Sequence, residues 1–271
     1  MRQVDAPVNQ VHLRTIPLLE TNGPPPWISL AIDDGQNNAS IMASGRGEGN
    51  KDPHIHTDFN ETWLILEGEL DFEIGDFPTL RARAGDVMIS PVGTTHIISS
   101  VGDRPSLRLA IAKQKSDHNL KGTRGSGGTP LPPGMSPPNL VHTSVAEVVA
   151  ALGPAPWSQE IILNVHNRIN LICTRPGDEG IKHVHPDFAQ WWVVLRGELV
   201  WEIEGFEATG VASRGDLIFA PAGRQHVITT VGDEDGLRLS ITPGKKMTTV
   251  LPDGTTSVLR PALKGLPHSL A

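Results

Sequence analysis

The stretch HIHTDFNETWLILEGELDFEI, His54 to Ile74, decides the reading of this 271-residue chain. His54 and His56 stand two apart, so on an extended strand both imidazoles point to the same face. Thr57-Asp58-Phe59-Asn60 reads as a turn, and Glu61 then opens the next strand. That turn resets the pleat, so the odd offset between His56 and Glu61 does not separate them. The run after Glu61 is rich in aromatic and β-branched residues, and Gly68 splits it into the two arms of a hairpin.

The same pattern returns as HVHPDFAQWWVVLRGELVWEI, His183 to Ile203. The shift is 129 residues there and 130 on either side of it. Val11-His12 with GPPPW (23–27) matches Val141-His142 with GPAPW (153–157). DVMISPVGTTHIISSV (86–101) matches DLIFAPAGRQHVITTV (216–231), and each holds two short strands around a Pro-x-Gly turn. Leu107-Arg108-Leu109 recurs as Leu237-Arg238-Leu239. The chain is therefore a duplication, and each half is one structural unit. Short strands spaced by turns predict a small antiparallel barrel or sandwich in each half. One helix is expected, Ser144 to Leu152, with capping-box spacing between Ser144 and Glu147, an apolar stripe and a Gly153-Pro154 stop. Residues 120–139 are crowded with Gly, Pro and Ser and read as a linker. They divide the chain into units 1–119 and 140–271. The tail beyond Lys245 reads as irregular surface packing.

Composition narrows the function. The 30 acidic against 23 basic residues give a net charge of −7, which disfavours nucleic acid and anionic membranes as partners. The start lacks an apolar signal core and no segment approaches a membrane span, so a cytoplasmic protein is expected. The single cysteine, Cys173, excludes an intrachain disulfide and suits a reducing compartment. With no tyrosine, any tyrosyl acid, base or radical is excluded.

Taken together, the motifs resemble those of the cupin family. The first is His-x-His, four residues, an acid, six residues and Gly: His54, His56, Glu61 and Gly68. The second is Gly, five residues, Pro-x-Gly, two residues and His: Gly85, Pro91, Gly93 and His96. The second copy supplies His183, His185, Gly197, Gly215, Pro221, Gly223 and His226, and departs from the pattern at Gln190. The resemblance implies an all-β bicupin, two tandem double-stranded β-helix (jelly-roll) barrels with few short helices. Each barrel would carry a metal site, with His54, His56, Glu61 and His96 as one ligand set and His183, His185, Gln190 and His226 as the other. Imidazole with one carboxylate suits a divalent transition metal, iron first among Fe, Mn, Ni, Co and Zn, and up to two ions per chain. The neutral amide of Gln190 is the poorer ligand, so two unequal sites are expected.

Trp63 and Trp192 share a strand face with Glu61 and Gln190 and read as core filling, with a wall for a flat substrate as the sharper alternative. Arg108 and Arg238 read as salt-bridging residues at a barrel rim or between barrels, and otherwise as substrate-pocket groups. Asn164, His166, Arg168 and Asn170 read as one polar strand face. His12 and His142 recur without partners at ligand spacing and read as structural; Asp86 and Asp216 read as turn residues. Open positions on such an ion suit a small oxygenated substrate, aromatic or enolisable, together with O₂, and thus a dioxygenase. Metal-dependent isomerisation or decarboxylation of a small organic acid is the second reading, and a non-catalytic small-molecule-binding bicupin the third. Self-assembly into a homo-oligomer is left open.

Overall fold

The computed structural model describes residues 1–116, 138–207, 210–244 and 247–259. Most of the 120–139 linker therefore lies outside the described residues. The rest is dominated by strands, with two short helices, Leu18–Thr21 and Val145–Leu152. The second is the helix expected from the sequence, and its first backbone bond runs from Val148 N to Ser144 O.

Two compact units result. One takes in Met1–Val8 and the described residues of Ile16–Ala151, the other Asn9–Thr15 and those of Leu152–Lys264. Packing thus departs from a simple cut at the linker in two places. His12–Leu13 pairs with Leu217–Ala220 in the second unit, and His142–Thr143 pairs with Val87–Ser90 in the first. Each arm is fixed by a histidine: His12 Nε2 lies 3.0 Å from Asp216 Oδ2, and His142 Nε2 lies 3.0 Å from Asp86 Oδ2. The same two carboxylates accept the N–H of Ser213 and of Arg83, closing their turns. Residues read separately as turn formers and as structural histidines are in fact partners. Their repeat positions were visible in the sequence, but the exchange of arms was not.

Each unit has a larger and a smaller sheet. In the first unit the larger sheet orders Arg2–Gln3, Trp27–Asp33, Asn37–Ser44, Ser106–Lys113, Glu61–Glu67, Val87–Ser90 and His142–Thr143. Leu80–Arg83, Glu69–Ile74 and His96–Ser100 make the smaller one. The second unit repeats the plan, with Gln190–Arg196 between Gly236–Pro243 and Leu217–Ala220, and Glu198–Ile203 paired with His226–Val231. The apolar faces close on cores of Trp63, Ile65, Leu70, Phe72 and Met88 in one unit. Trp192, Val194, Leu199, Trp201 and Ile218 do the same in the other. This is the double-sheet barrel that the motifs imply.

The polar stretch around residue 166 differs from expectation. Asn164 and His166 lie in the turn between Trp157–Leu163 and Asn167–Thr174, and Asn164 Oδ1 accepts from the N–H of both His166 and Asn167. A buried Asn satisfying a hairpin turn leaves the same alternation in sequence as a polar strand face.

Gly68, between the hairpin arms, has φ +77°, and a Cβ there would meet Ser106 Cα at 2.9 Å. Any side chain would be strained in backbone and blocked in space. Gly68→Ala is expected to destabilise the protein by about 2 kcal/mol or more, read as a lower denaturant midpoint with unchanged slope.

Candidate metal centre

The strand register of each unit brings the histidines together. His96 N donates to His54 O at 3.2 Å, a backbone bridge that sets the third imidazole beside the first. The Pro91-x-Gly93 turn fixes the second: Gly93 N donates to His56 O at 2.7 Å. Asn60 Oδ1 accepts from Val92 N at 2.8 Å and ties the Glu61 strand to the same turn. The second unit repeats this, with His183 and His226 bridged at 3.1 and 2.8 Å and Gly223 N on His185 O at 2.7 Å.

Nearly all the rings turn the same edge inward. Nδ1 of His54 donates to Asp52 O at 2.9 Å, His183 Nδ1 to Ile181 O at 2.6 Å and His226 Nδ1 to Arg224 O at 2.9 Å. His185 Nδ1 donates to Thr248 O at 3.0 Å. A carbonyl accepts only, so in these rings the proton sits on Nδ1 and the lone pair on Nε2. In the first unit, Glu61 Oε2 accepts from His56 Nε2 at 2.8 Å and lies 3.1 Å from His96 Nε2. Burial alone would raise the Glu61 carboxyl, but hydrogen bonds and charge from His56 and His96 outweigh it and hold the group at about 2. Glu61 is thus ionised at neutral pH, with its charge facing three buried imidazoles.

One potential ligand atom each from His54, His56, Glu61 and His96 lies within 4.8 Å of the others, and the same holds for His183, His185 and His226. Ligand atoms about 2 Å from one shared ion have such spacings. Nε2 turned inward, Nδ1 tied to a carbonyl in His54, His96, His183, His185 and His226, and the Glu61 carboxylate among the rings fit a divalent transition metal. Phe59 and Phe188 pack on His56 and His185, both with centroids 4.3 Å apart, and shield the rings from water.

The Cupin domain family matches residues 41–111 and again 170–242. The chain belongs to the cupin family. With two such domains it is a bicupin. No curated protein matches it in sequence. Among solved structures it is similar to a point variant of salicylate 1,2-dioxygenase from Pseudoaminobacter salicylatoxidans, with TM-score 0.62 and 15% identity over 81% of this chain and 75% of that one. A cupin 2 conserved barrel domain protein from Leptotrichia buccalis matches with TM-score 0.59 and 14% identity over 80% and 88%. At such identities the likeness is one of fold.

The bicupin's second cluster is neutral where the first is charged. Gln190 Oε1 lies 2.7 Å from His185 Nε2 and 3.1 Å from His226 Nε2, while its Nε2 donates to Ser240 Oγ at 2.8 Å. Ser240 therefore fixes the amide with its oxygen toward the rings. Its counterpart in the first unit is Ala110, since Glu61 has no N–H to satisfy; each lies opposite the motif tryptophan, Ser240 across from Trp192 and Ala110 from Trp63. Ser240 was not legible in the motifs, although the Ala110/Ser240 difference between copies was its signal. Nor were Phe59 and Phe188, whose Asp-Phe dipeptides recur in both copies. The tail, expected to be irregular, pairs Met247–Val250 with Thr256–Leu259 and orients His185 through Thr248 O.

Trp63 and Trp192 are buried edge-on to the third histidine of each cluster, with centroids 5.1 and 5.4 Å away. Among the described residues neither arginine makes the expected salt bridge. Both are buried inside their units and donate to a hydroxyl, Arg108 Nη1 to Ser44 Oγ at 3.0 Å and Arg238 Nη1 to Thr174 Oγ1 at 2.7 Å.

Ser240→Ala strands the Gln190 N–H and frees the amide to turn. The expected result is a loss of about 1–2 kcal/mol in unfolding and weaker divalent-ion binding at the second cluster alone, seen by metal titration. The pH dependence follows from burial, which pushes His226 down to about 4 against an ordinary 6.5. The unfolded chain then takes up this proton first, so stability present above pH 6.5 is lost as pH falls toward 4. Glu61, held near 2, adds a second loss below pH 4.5. Denaturant titrations of chelator-treated protein between pH 7 and 3 should show both declines; a flat profile would refute them.

Proposed function

We propose that this bicupin is a metal-dependent dioxygenase acting on a small oxygenated substrate, aromatic or enolisable. The observation that carries the reading is the buried convergence of three imidazoles and the Glu61 carboxylate within one 4.8 Å cluster. A shared fold with a salicylate 1,2-dioxygenase supports it, as does the structure of that enzyme as an adduct with gentisate, similar at TM-score 0.59 and 14% identity over 77% of this chain and 68% of that one.

His54, His56, Glu61 and His96 would hold the ion in the first unit, and His183, His185, Gln190 and His226 in the second. A divalent ion there, iron in this reading, supplies Lewis acidity and the redox capacity that O₂ chemistry needs. The chain's own residues prepare the site. Hydrogen bonds from Nδ1 to backbone carbonyls fix the rings before any ion arrives, so little reorganisation is needed. Glu61 would offset one unit of a bound ion's charge, and the hydrogen bond it accepts from His56 holds a proton that metal binding would displace. Trp63 and Phe59 keep bulk water from the rings. In the second unit the amide of Gln190 would leave the full charge of a bound ion in place, which would favour an anionic ligand.

Elemental analysis of protein purified without added metal should find iron, and an oxygen electrode should record uptake with a panel of hydroxybenzoates, catechols and β-diketones. Turnover without O₂ would point instead to isomerase or decarboxylase chemistry, and binding without turnover under any metal to a binding protein. Glu61→Ala and His96→Ala should each lose at least one metal equivalent and most activity while circular dichroism stays unchanged. Activity surviving in both would assign catalysis to the second unit.

A further inference from the structure

The second cluster depends on a contact made far along the chain. Four ligand rings rest Nδ1 on the carbonyl two residues earlier: His54 on Asp52, His96 on Thr94, His183 on Ile181 and His226 on Arg224. Such contacts come with the local backbone. His185 differs. Its Nδ1 donates to Thr248 O at 3.0 Å, 63 residues further on, with Thr249 Oγ1 at 3.3 Å from the same nitrogen. A carbonyl there keeps the proton on Nδ1 and the lone pair on Nε2, so the tautomer of this ring is set by the tail hairpin rather than by its own segment.

The hairpin reaches the ring by pairing with the segment that carries it. Val184, between the two ligand histidines, exchanges both backbone bonds with Val250, at 3.0 and 2.9 Å. Met247 is buried, and Thr248 Oγ1 donates to Asp187 Oδ2 at 3.2 Å in the turn that leads to Gln190. The segment from His183 to His185 is thus paired on both edges, with His226 along one and the hairpin along the other. Among the described residues Ile55, the counterpart of Val184, has no such bridge, and Asp58, the counterpart of Asp187, pairs instead with Lys113. A ring free to turn, or to pass its proton between nitrogens, offers its Nε2 lone pair only part of the time, and ordering it then detracts from ion affinity. With the weaker amide oxygen of Gln190 beside it, the second cluster has the more to lose.

We propose that the C-terminal hairpin, Met247–Val250 with Thr256–Leu259, is a positioning element of the second metal site: docked on Val184, it holds the His185 ring with Nε2 inward and so sets the affinity of that cluster for a divalent ion. The proposal rests on reading the His183 cluster as an ion site, but one arm of its test needs no ion.

Both backbone groups of Val250 face Val184, so Val250→Pro removes a docking bond and none inside the hairpin, while Val250→Ala keeps it. Co²⁺ is titrated into chelator-treated full chain carrying His96→Ala, in which the second cluster alone is complete. Val250→Pro should weaken binding about tenfold or more, and Val250→Ala should leave it unchanged. In a His226→Ala background, which reports the first cluster, neither substitution should change the affinity. Spectra of the metal-free chain with ¹⁵N-labelled histidine, the His185 signal assigned by replacing that residue, should show one Nδ1–H tautomer that Val250→Pro turns into a mixture. Equal Co²⁺ affinity in the Pro and Ala variants, an unaltered His185 signal, or an equal loss at the first cluster would each overturn the proposal. If Val250→Pro does not fold, Gly254→Val, which strains the hairpin turn at φ +82°, should give the same loss and decides in its place. A tautomer change with no Co²⁺ bound by the second cluster of the unaltered chain would refute the ion reading and leave the positioning of His185 standing.

Discussion

The backbone bridge between the first and third histidines, His54 with His96 and His183 with His226, is the constraint on which both clusters depend. Side chains from strands forty residues apart in sequence can share one ion only if their backbones are paired in the correct register. A slip of one residue would turn each imidazole to the opposite face. The Pro-x-Gly turn and Gly68 guard that register, the first by donating to the carbonyl of the second histidine, the second by admitting a reversal that no other residue fits. The motif glycines are therefore as much a part of the site as the ligands, though they touch nothing reactive.

The sequence was legible where a local pattern and a physical need coincide. His-x-His on a strand, a turn resetting the pleat before Glu61 and a hairpin split at Gly68 are short-range features, and duplication displayed each of them twice. Long-range pairings were hidden. Nothing in the spacing of His12 says that it meets Asp216, and nothing around Arg108 says that it is wholly buried, because charge in a sequence says little about burial. The turn at Asn164 misled for a related reason: polar residues at alternate positions look alike whether they face water or close a hairpin.

The difference between the two clusters is one of charge held on a common frame. In the first, Glu61 is ionised and its carboxylate accepts from the rings around it. In the second, the amide oxygen takes the same place without a charge, and burial disfavours the imidazolium of His185 and of His226, so those two rings lose their protons more easily than in water. The two clusters thus present different charge on the same fold, a carboxylate among the imidazoles in one and a neutral amide in the other.

The Gln190–Ser240 pair also constrains how one kind of cluster can turn into the other by single substitutions. Placing serine opposite a carboxylate is harmless, since the hydroxyl simply becomes a donor. Placing glutamine opposite alanine strands an amide N–H in a dry interior, at a cost near that of a lost hydrogen bond. Of the two routes between a Glu/Ala and a Gln/Ser barrel, the passable one gains the hydroxyl first, so an apparently idle serine beside a glutamate would be the trace of a barrel part-way through the change.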